Sequence, residues 1–326
     1  MDNLKFDIGD FDFGDIFEDY TISYDYIIDP DTSPCTSVVN ESINTILAVI
    51  YSLVCFLAVT GNIIVMTVLL YNRRTISSTD IYLLHLAVAD LLFAVTLPFW
   101  AVDAVSGWVF GDAMCKIISM LQEVNFYSGF LFLACISIDH YLATIYSKQT
   151  YRCNRPFLAC IAVWLLAILL SLPVRHKGEY TLPNSNRKVC YLLDGKLTET
   201  WKMNIRFLHH FINFLIALVV IIFCFAVTIL KLYQTKRRQK HKVMDVITVV
   251  VLAFVICWLP YNITMFIDIL MKTKFIDETC EKRNHIDRAL VGNQSLGFLH
   301  SCVNPFIYVF LWVKFRKNLI NLLAMK

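Results

Sequence analysis

A carboxylate in the middle of a long apolar run is the most costly placement in this sequence. Asp90 lies in Leu86-Ala87-Val88-Ala89-Asp90-Leu91. An ionisable side chain at the centre of a membrane-spanning helix costs at least about 2.5–3.5 kcal/mol on insertion scales, so its presence calls for a function or a partner. Residue types alone leave two readings open. One is a polar contact tying two helices together. The other is a cation or water-filled switch site made with Asn62, Asn125, Ser301 and Asn304, all in apolar stretches other than that of Asp90. Oxygen donors around one carboxylate suit a hard cation such as sodium, for which Asp90, Asn125 and Ser301 are the candidate ligands. No enzyme active site is visible.

Prolines interrupt three of the apolar stretches, at Thr96-Leu97-Pro98, Cys257-Trp258-Leu259-Pro260 and Asn304-Pro305-Phe306-Ile307-Tyr308. Each removes a backbone hydrogen bond and permits a kink. That serves static packing or a bundle that changes its helix angles.

These residues need long helices to hold them, and composition supplies the setting. Hydrophobic residues make up 57% of the 326-residue chain and charged residues 17%, with a mean hydropathy of +0.59. Soluble domains carry about 25% charged residues. A span needs about 20 mainly apolar residues, and seven stretches qualify: Ile43–Tyr71, Asp80–Val102, Ala113–Tyr146, Phe157–Val174, Phe207–Leu230, Val243–Met271 and Arg288–Leu311. Val313–Leu323 sets Lys314, Arg316 and Lys317 among apolar residues and predicts an amphipathic helix in the interface, too short to span. The expected fold is an all-α membrane protein, a seven-transmembrane helix bundle with a short C-terminal amphipathic interfacial helix. Its parts are an acidic tail (1–42), the bundle (43–311) and the C-terminal helix (312–326). A polytopic transporter is the alternative class, but no internal repeat appears at these spacings.

Charge sets the orientation. Residues 1–42 hold eleven Asp/Glu and one Lys. Arg73 and Arg74 follow the first span, and Lys231–Lys242 carries six Lys/Arg, which places the N-terminus outside. A uniformly basic nucleic-acid binder would not be divided this way. The first twenty residues lack an apolar leader core, so the first span is expected to act as the targeting signal. In this orientation Cys35, Cys115, Cys190 and Cys280 face an oxidising compartment, and four cysteines allow three pairings. Cys153 lies inside, and six further cysteines fall within spans as small apolar packers. Asn40-Glu41-Ser42 is a glycosylation acceptor. Asn262-Ile263-Thr264 and Asn293-Gln294-Ser295 share its pattern but sit in predicted helices. The acidic tail is expected to be disordered; Asp19, Tyr20, Tyr24, Asp25 and Tyr26 place aromatic anchors among charges that attract a basic partner.

Gly61-Asn62, Leu86-Ala87-Val88-Ala89-Asp90, Trp164, Cys257-Trp258-Leu259-Pro260 and Asn304-Pro305-x-x-Tyr308, arriving in order along the spans, resemble the rhodopsin-like G-protein-coupled receptors. Thr96-Leu97-Pro98-Phe99-Trp100, Trp108-Val109-Phe110-Gly111, Glu123–Gly129 and Leu296–Cys302 are similar to chemokine receptors. Arg283–Leu290 is most similar to the interleukin-8 type of the CXC branch. The resemblance covers residues 35–320 or so. It implies CXC chemokine ligands, a heterotrimeric G protein of the inhibitory class, membrane lipid around the bundle, and disulfides Cys115–Cys190 and Cys35–Cys280. It further implies sulfation of the tail tyrosines, an outer pocket with Trp100, Asp103, Tyr127 and Gln294, and Arg206 and Arg288 as partners for ligand acids. Trp258 and Pro260 would form the packing switch below that pocket, with Asn304, Pro305 and Tyr308 nearer the inner face.

Three departures from the family pattern stand out. Asp139-His140-Tyr141 replaces Asp-Arg-Tyr. The fifth span has Ala217 for the usual proline and Phe225 for the usual tyrosine, and Gln294 replaces a glutamate. Such drift is similar to that of herpesvirus-encoded homologues. In the family the arginine is held by the acid at rest; His140 is shorter and lacks its five-donor fork. Altered basal activity is therefore expected, with a non-signalling scavenger as the alternative.

Overall fold

This computed structural model describes residues 41–71, 76–145, 155–181, 187–192, 207, 213–235 and 238–324. The tail residues Asp19, Tyr20, Tyr24, Asp25, Tyr26, Cys35 and Asn40, and also Arg206, lie outside them.

The apolar stretches fold as helices. In chain order these are α1 (Glu41–Tyr71), α2 (Ser78–Ala94), α3 (Leu97–Ser106), α4 (Gly111–Ile145), α5 (Arg155–Ser171), α6 (Asn213–Thr235), α7 (Arg238–Lys272), α8 (Cys280–Phe298), α9 (His300–Leu311) and α10 (Val313–Ala324). Six spans are long and apolar enough to cross a membrane. The seventh is the pair Cys280–Leu311 and Val313–Ala324, bent by 89°. α4 packs against α2, α5 and α6, and α1 against α2, α3 and α9. Outward-facing Leu and Ile on α1, α5 and α6 stay exposed, as lipid-facing surfaces require.

Two spans differ from their expected outlines. The second is not merely kinked but divides into α2 and α3. Pro98 has no N–H to donate, and the Thr96 hydroxyl donates to the Phe93 carbonyl at 2.7 Å across the break. The seventh begins at Cys280 rather than Arg288, because Thr279 caps its first turn by accepting from the Lys282 N–H. Its first two turns are polar, so hydropathy misses them. Pro260 and Pro305 remain inside helices. Spans one and seven approach closely at Gly61, where a Cβ would stand 2.8 Å from the Pro305 ring.

Aromatic rings fill the centre. Phe126 meets Trp258 at 4.6 Å, Phe130 meets Phe254 at 4.6 Å, and Phe130 also meets Phe214 at 5.0 Å between centroids. All are buried, and edge-to-face pairs of this kind contribute about 0.5–1.5 kcal/mol each beyond burial. Asn262 is buried in α7, and Asn293 donates to Thr264 Oγ1 at 2.7 Å, so neither is a glycan acceptor.

One end of the bundle carries a two-stranded antiparallel sheet that hydropathy did not foretell: β1 (Lys177–Thr181) and β2 (Lys188–Leu192), with Cys190 opposite Glu179. A disulfide joins Cys190 to Cys115 at the start of α4. Cys280 is disulfide-bonded as well. At the opposite end, α2 opens with a capping box: Ser77 Oγ accepts from the Asp80 N–H, and Asp80 Oδ2 accepts from the Ser77 N–H at 2.8 Å. Lys314 of α10 donates to that same Oδ2 at 2.8 Å. Phe315 is buried on the bundle while Ile320 and Leu323 are exposed, the two-faced pattern of an interfacial helix.

Candidate functional site

Three clusters lie along the bundle. At the sheet end, α3 carries Trp100 and Asp103 one turn apart. Both are partly buried, and Trp100 Nε1 and Asp103 Oδ1 find no hydrogen-bond partner among the described residues. Trp100 leans on Trp108 at 5.7 Å. Trp108 is fully buried although it sits in a connection between helices, because its backbone N–H donates to the Lys188 carbonyl and its indole donates to the Gly111 carbonyl. Arg187, which sequence reasoning missed, donates to the backbone carbonyls of Asp103 and Ala104 at 2.7 and 2.8 Å. It closes the C-terminal end of α3 where the helix dipole favours a cation. Asp103 also acts electrostatically on Tyr51, whose hydroxyl bonds Ser295 Oγ at 2.9 Å. Tyr127 is buried against Phe126, 5.3 Å away, and Gln294 is half-buried. At this end of the bundle Asp103 and Trp100 thus stand half-buried, with Trp108 packed beneath Trp100 and β2 tied alongside through Lys188.

Charges that hydropathy passed over join the sixth and seventh spans at this end. Arg283 Nη1 donates to Asp268 Oδ1 at 2.5 Å, while its Nε and Nη2 grip both oxygens of Asp287 at 3.2 and 2.5 Å. Lys272 stands 3.1 Å from Asp268 Oδ2. The i,i+4 spacings Asp268/Lys272 and Arg283/Asp287 were the available signal. Arg288, the expected ligand partner, is exposed.

In the middle, Asp90 is fully buried. Asn125 donates to its Oδ1 and Asn304 to its Oδ2, each at 3.2 Å, and His300 Nε2 lies 3.5 Å from Oδ1. Ser301 donates instead to the Phe298 carbonyl, and Asn62 donates to the Ser301 carbonyl. His300 was not foreseen. Its ring fills the space between Phe93, Phe254 and Trp258 and brings nitrogen where a hard cation seeks oxygen. The two carboxamides thus hold the carboxylate, while His300 Nε2 approaches it without making a hydrogen bond. Trp258 lies above, pressed on Gly297, where a Cβ would come within 2.9 Å of its ring.

At the far end, Tyr308 is buried beside Trp312 and Phe315, and its hydroxyl has no hydrogen-bond partner among the described residues. It borders a narrow apolar cleft between Leu83, Leu133, Ile136 and Val250. Asp139 makes no hydrogen bond or ion pair among the described residues. His140 meets Thr79 at 3.2 Å instead. Tyr141 lies 6.1 Å from Phe223, and Phe225 is buried with no hydroxyl to offer.

The arrangement therefore has a charged mouth, a buried polar relay and an apolar cleft at the other face. The sequence profile described as "7 transmembrane receptor (rhodopsin family)" matches residues 61–308, which sets the transporter alternative aside. The C-X-C chemokine receptor type 1 of Oryctolagus cuniculus is 47% identical over 300 residues, covering 91% of this chain and 84% of that protein. The type 2 receptor of the same species is 46% identical over 317 residues, covering 96% and 88%. The Homo sapiens type 1 receptor is 47% identical over 300 residues, covering 91% and 85%. Multi-pass in the cell membrane and a receptor rather than an enzyme, this chain belongs to the rhodopsin family of seven-transmembrane receptors, alongside its C-X-C chemokine receptors.

Proposed function

We propose that this chain is a cell-surface receptor for CXC chemokines that passes the signal to a heterotrimeric G protein of the inhibitory class. The observation that carries the reading is the outer end of the bundle, where Asp103, whose Oδ1 has no hydrogen-bond partner among the described residues, stands one turn from Trp100, in a chain nearly half identical to receptors named for C-X-C chemokines. Chemokines are mostly basic, and residues 1–42 bear eleven acids against one lysine. The tail would steer a basic ligand inward, with Tyr20, Tyr24 and Tyr26, sulfated, adding charge and contact area between Asp19 and Asp25. The ligand's N-terminus would then enter toward Asp103, Tyr127 and Gln294, with Arg206 and Arg288 meeting ligand acids and a Cys35–Cys280 disulfide holding the tail near the mouth. Asn40 would carry a glycan.

A panel of labelled chemokines tests the ligand class. Deleting residues 1–30 should weaken the best ligand roughly ten-fold at low salt and flatten its salt dependence. Affinity unchanged at low ionic strength would refute steering by the tail.

The far end bears on signalling mode. His140 meets Thr79 rather than Asp139, and Phe225 lacks a hydroxyl, so both the family's resting lock and one of its active-state links are weakened, by on the order of 1–3 kcal/mol each. We read the net result as ligand-independent signalling, with a silent scavenger as the second reading. Membranes carrying the receptor should exchange guanine nucleotide on G protein faster than receptor-free membranes, and His140→Arg should lower that basal rate. Basal exchange at the receptor-free level, with His140→Arg gaining a ligand response, would favour the scavenger instead.

A further inference from the structure

We propose that Thr79 positions the switch residue His140: its hydroxyl, 3.2 Å from His140 Nε2, ties the third span to the second in the resting receptor. The inference rests on the signalling reading above for its consequence, but not for its geometry. Thr79 is 8% exposed and sits in the first turn of α2. That turn is held on two sides, by the Ser77–Asp80 capping box and by Lys314 reaching Asp80 from α10. A hydroxyl on so fixed a turn is a pre-positioned partner, and it serves as donor or acceptor according to the imidazole tautomer.

The opposite wall explains why the tie lies on this side. Across the narrow cleft, α7 presents Val246, Ile247 and Val250, and α4 itself contributes Leu133 and Ile136. None of these side chains can hydrogen-bond an imidazole. Asp139, the neighbouring acid, makes no hydrogen bond or ion pair among the described residues. With a histidine in place of the long guanidinium, the Thr79 hydroxyl on the second span lies within hydrogen-bond reach. Holding His140 there keeps its ring out of the cleft that a G-protein helix would enter. Breaking the tie removes this hold on the ring and loosens the cleft.

Thr79→Val keeps the branched shape and removes only the hydroxyl; Thr79→Ser keeps the hydroxyl. Two readouts are taken in membranes at equal surface expression. One is basal nucleotide exchange on added G protein. The other is the rate at which a water-soluble maleimide labels Ile247→Cys in the cleft wall, after subtraction of receptor lacking that change. Thr79→Val should raise both about three- to ten-fold, the worth of one hydrogen bond, and Thr79→Ser should restore both to within about two-fold. His140→Ala should mimic Thr79→Val, and the two changes combined should add nothing further. Labelling unchanged by Thr79→Val overturns the tie whatever the exchange assay gives. An equal further rise in the His140→Ala background also overturns it, since Thr79 would then act by another route. Faster labelling without nucleotide exchange upholds the tie and counts against the signalling reading instead.

Discussion

Arg283→Gln should destabilise the receptor by about 3 kcal/mol, because it strands a carboxylate that is almost wholly inside the protein. Asp268 has a side-chain exposure of 1% and Arg283 of 19%. Removing one partner of a buried pair costs about 3–5 kcal/mol, and the lower end applies here because Lys272 still approaches Asp268 from the other side. Asp287 also loses its fork, but it is more exposed, and a pair at the surface contributes only about 0–1 kcal/mol. The measurement is thermal inactivation of detergent-solubilised receptor. Adding Asp268→Asn to Arg283→Gln should recover a large part of the loss, since the stranded charge goes with it. Equal stability for wild type and Arg283→Gln would show that water reaches Asp268 and that the sixth and seventh spans do not depend on this junction.

Cys190→Ser should be costlier still, at about 4 kcal/mol in a chain-entropy account of a loop closed between residues 75 apart. The loss concentrates on the mouth. Without the link to Cys115, β2 is held by its pairing with β1, by the Lys188–Trp108 backbone bond and by Arg187 on the end of α3. These are single hydrogen bonds, each contributing about 0.5–1.5 kcal/mol, and they do not replace a covalent tie. Ligand binding should therefore fall below detection at concentrations saturating for wild type, while spans remote from the sheet stay folded. The reduced wild-type receptor should behave like the variant. Full binding by Cys190→Ser at normal surface expression would mean that the sheet is not needed to shape the mouth.

These expectations come from residues of unequal visibility in the sequence. Apolar length alone located the spans, since a bilayer demands it, and the prolines marked where two of them keep a ring inside the helix. The division of the second span was harder to see, because whether Pro98 kinks or breaks a helix depends on Thr96 reaching Phe93. The seventh span was trimmed at Arg288 because averaging its polar turns with its apolar ones hides a helix whose charges are satisfied by α7. Asp90 announced itself by its cost, and Asn125 and Asn304 followed as donors. His300 did not, since a histidine in an aromatic run reads as packing until its nitrogen is found 3.5 Å from a carboxylate. Thr79 and Arg187 were hidden for a related reason: each acts on a residue 61 to 84 positions away, and no local pattern encodes that meeting.

The contact between Lys314 and Asp80 also bears on how the receptor is made. The two residues are 234 positions apart, so at about 5–20 residues per second roughly half a minute of synthesis separates them. Until Lys314 arrives, the carboxylate that closes the first turn of the second span is held by its own capping box. A receptor chain that ends just before residue 314 keeps all seven crossings but leaves this acid at its cytoplasmic rim without its lysine partner. That acid is a feature by which quality control could tell an unfinished receptor from a finished one.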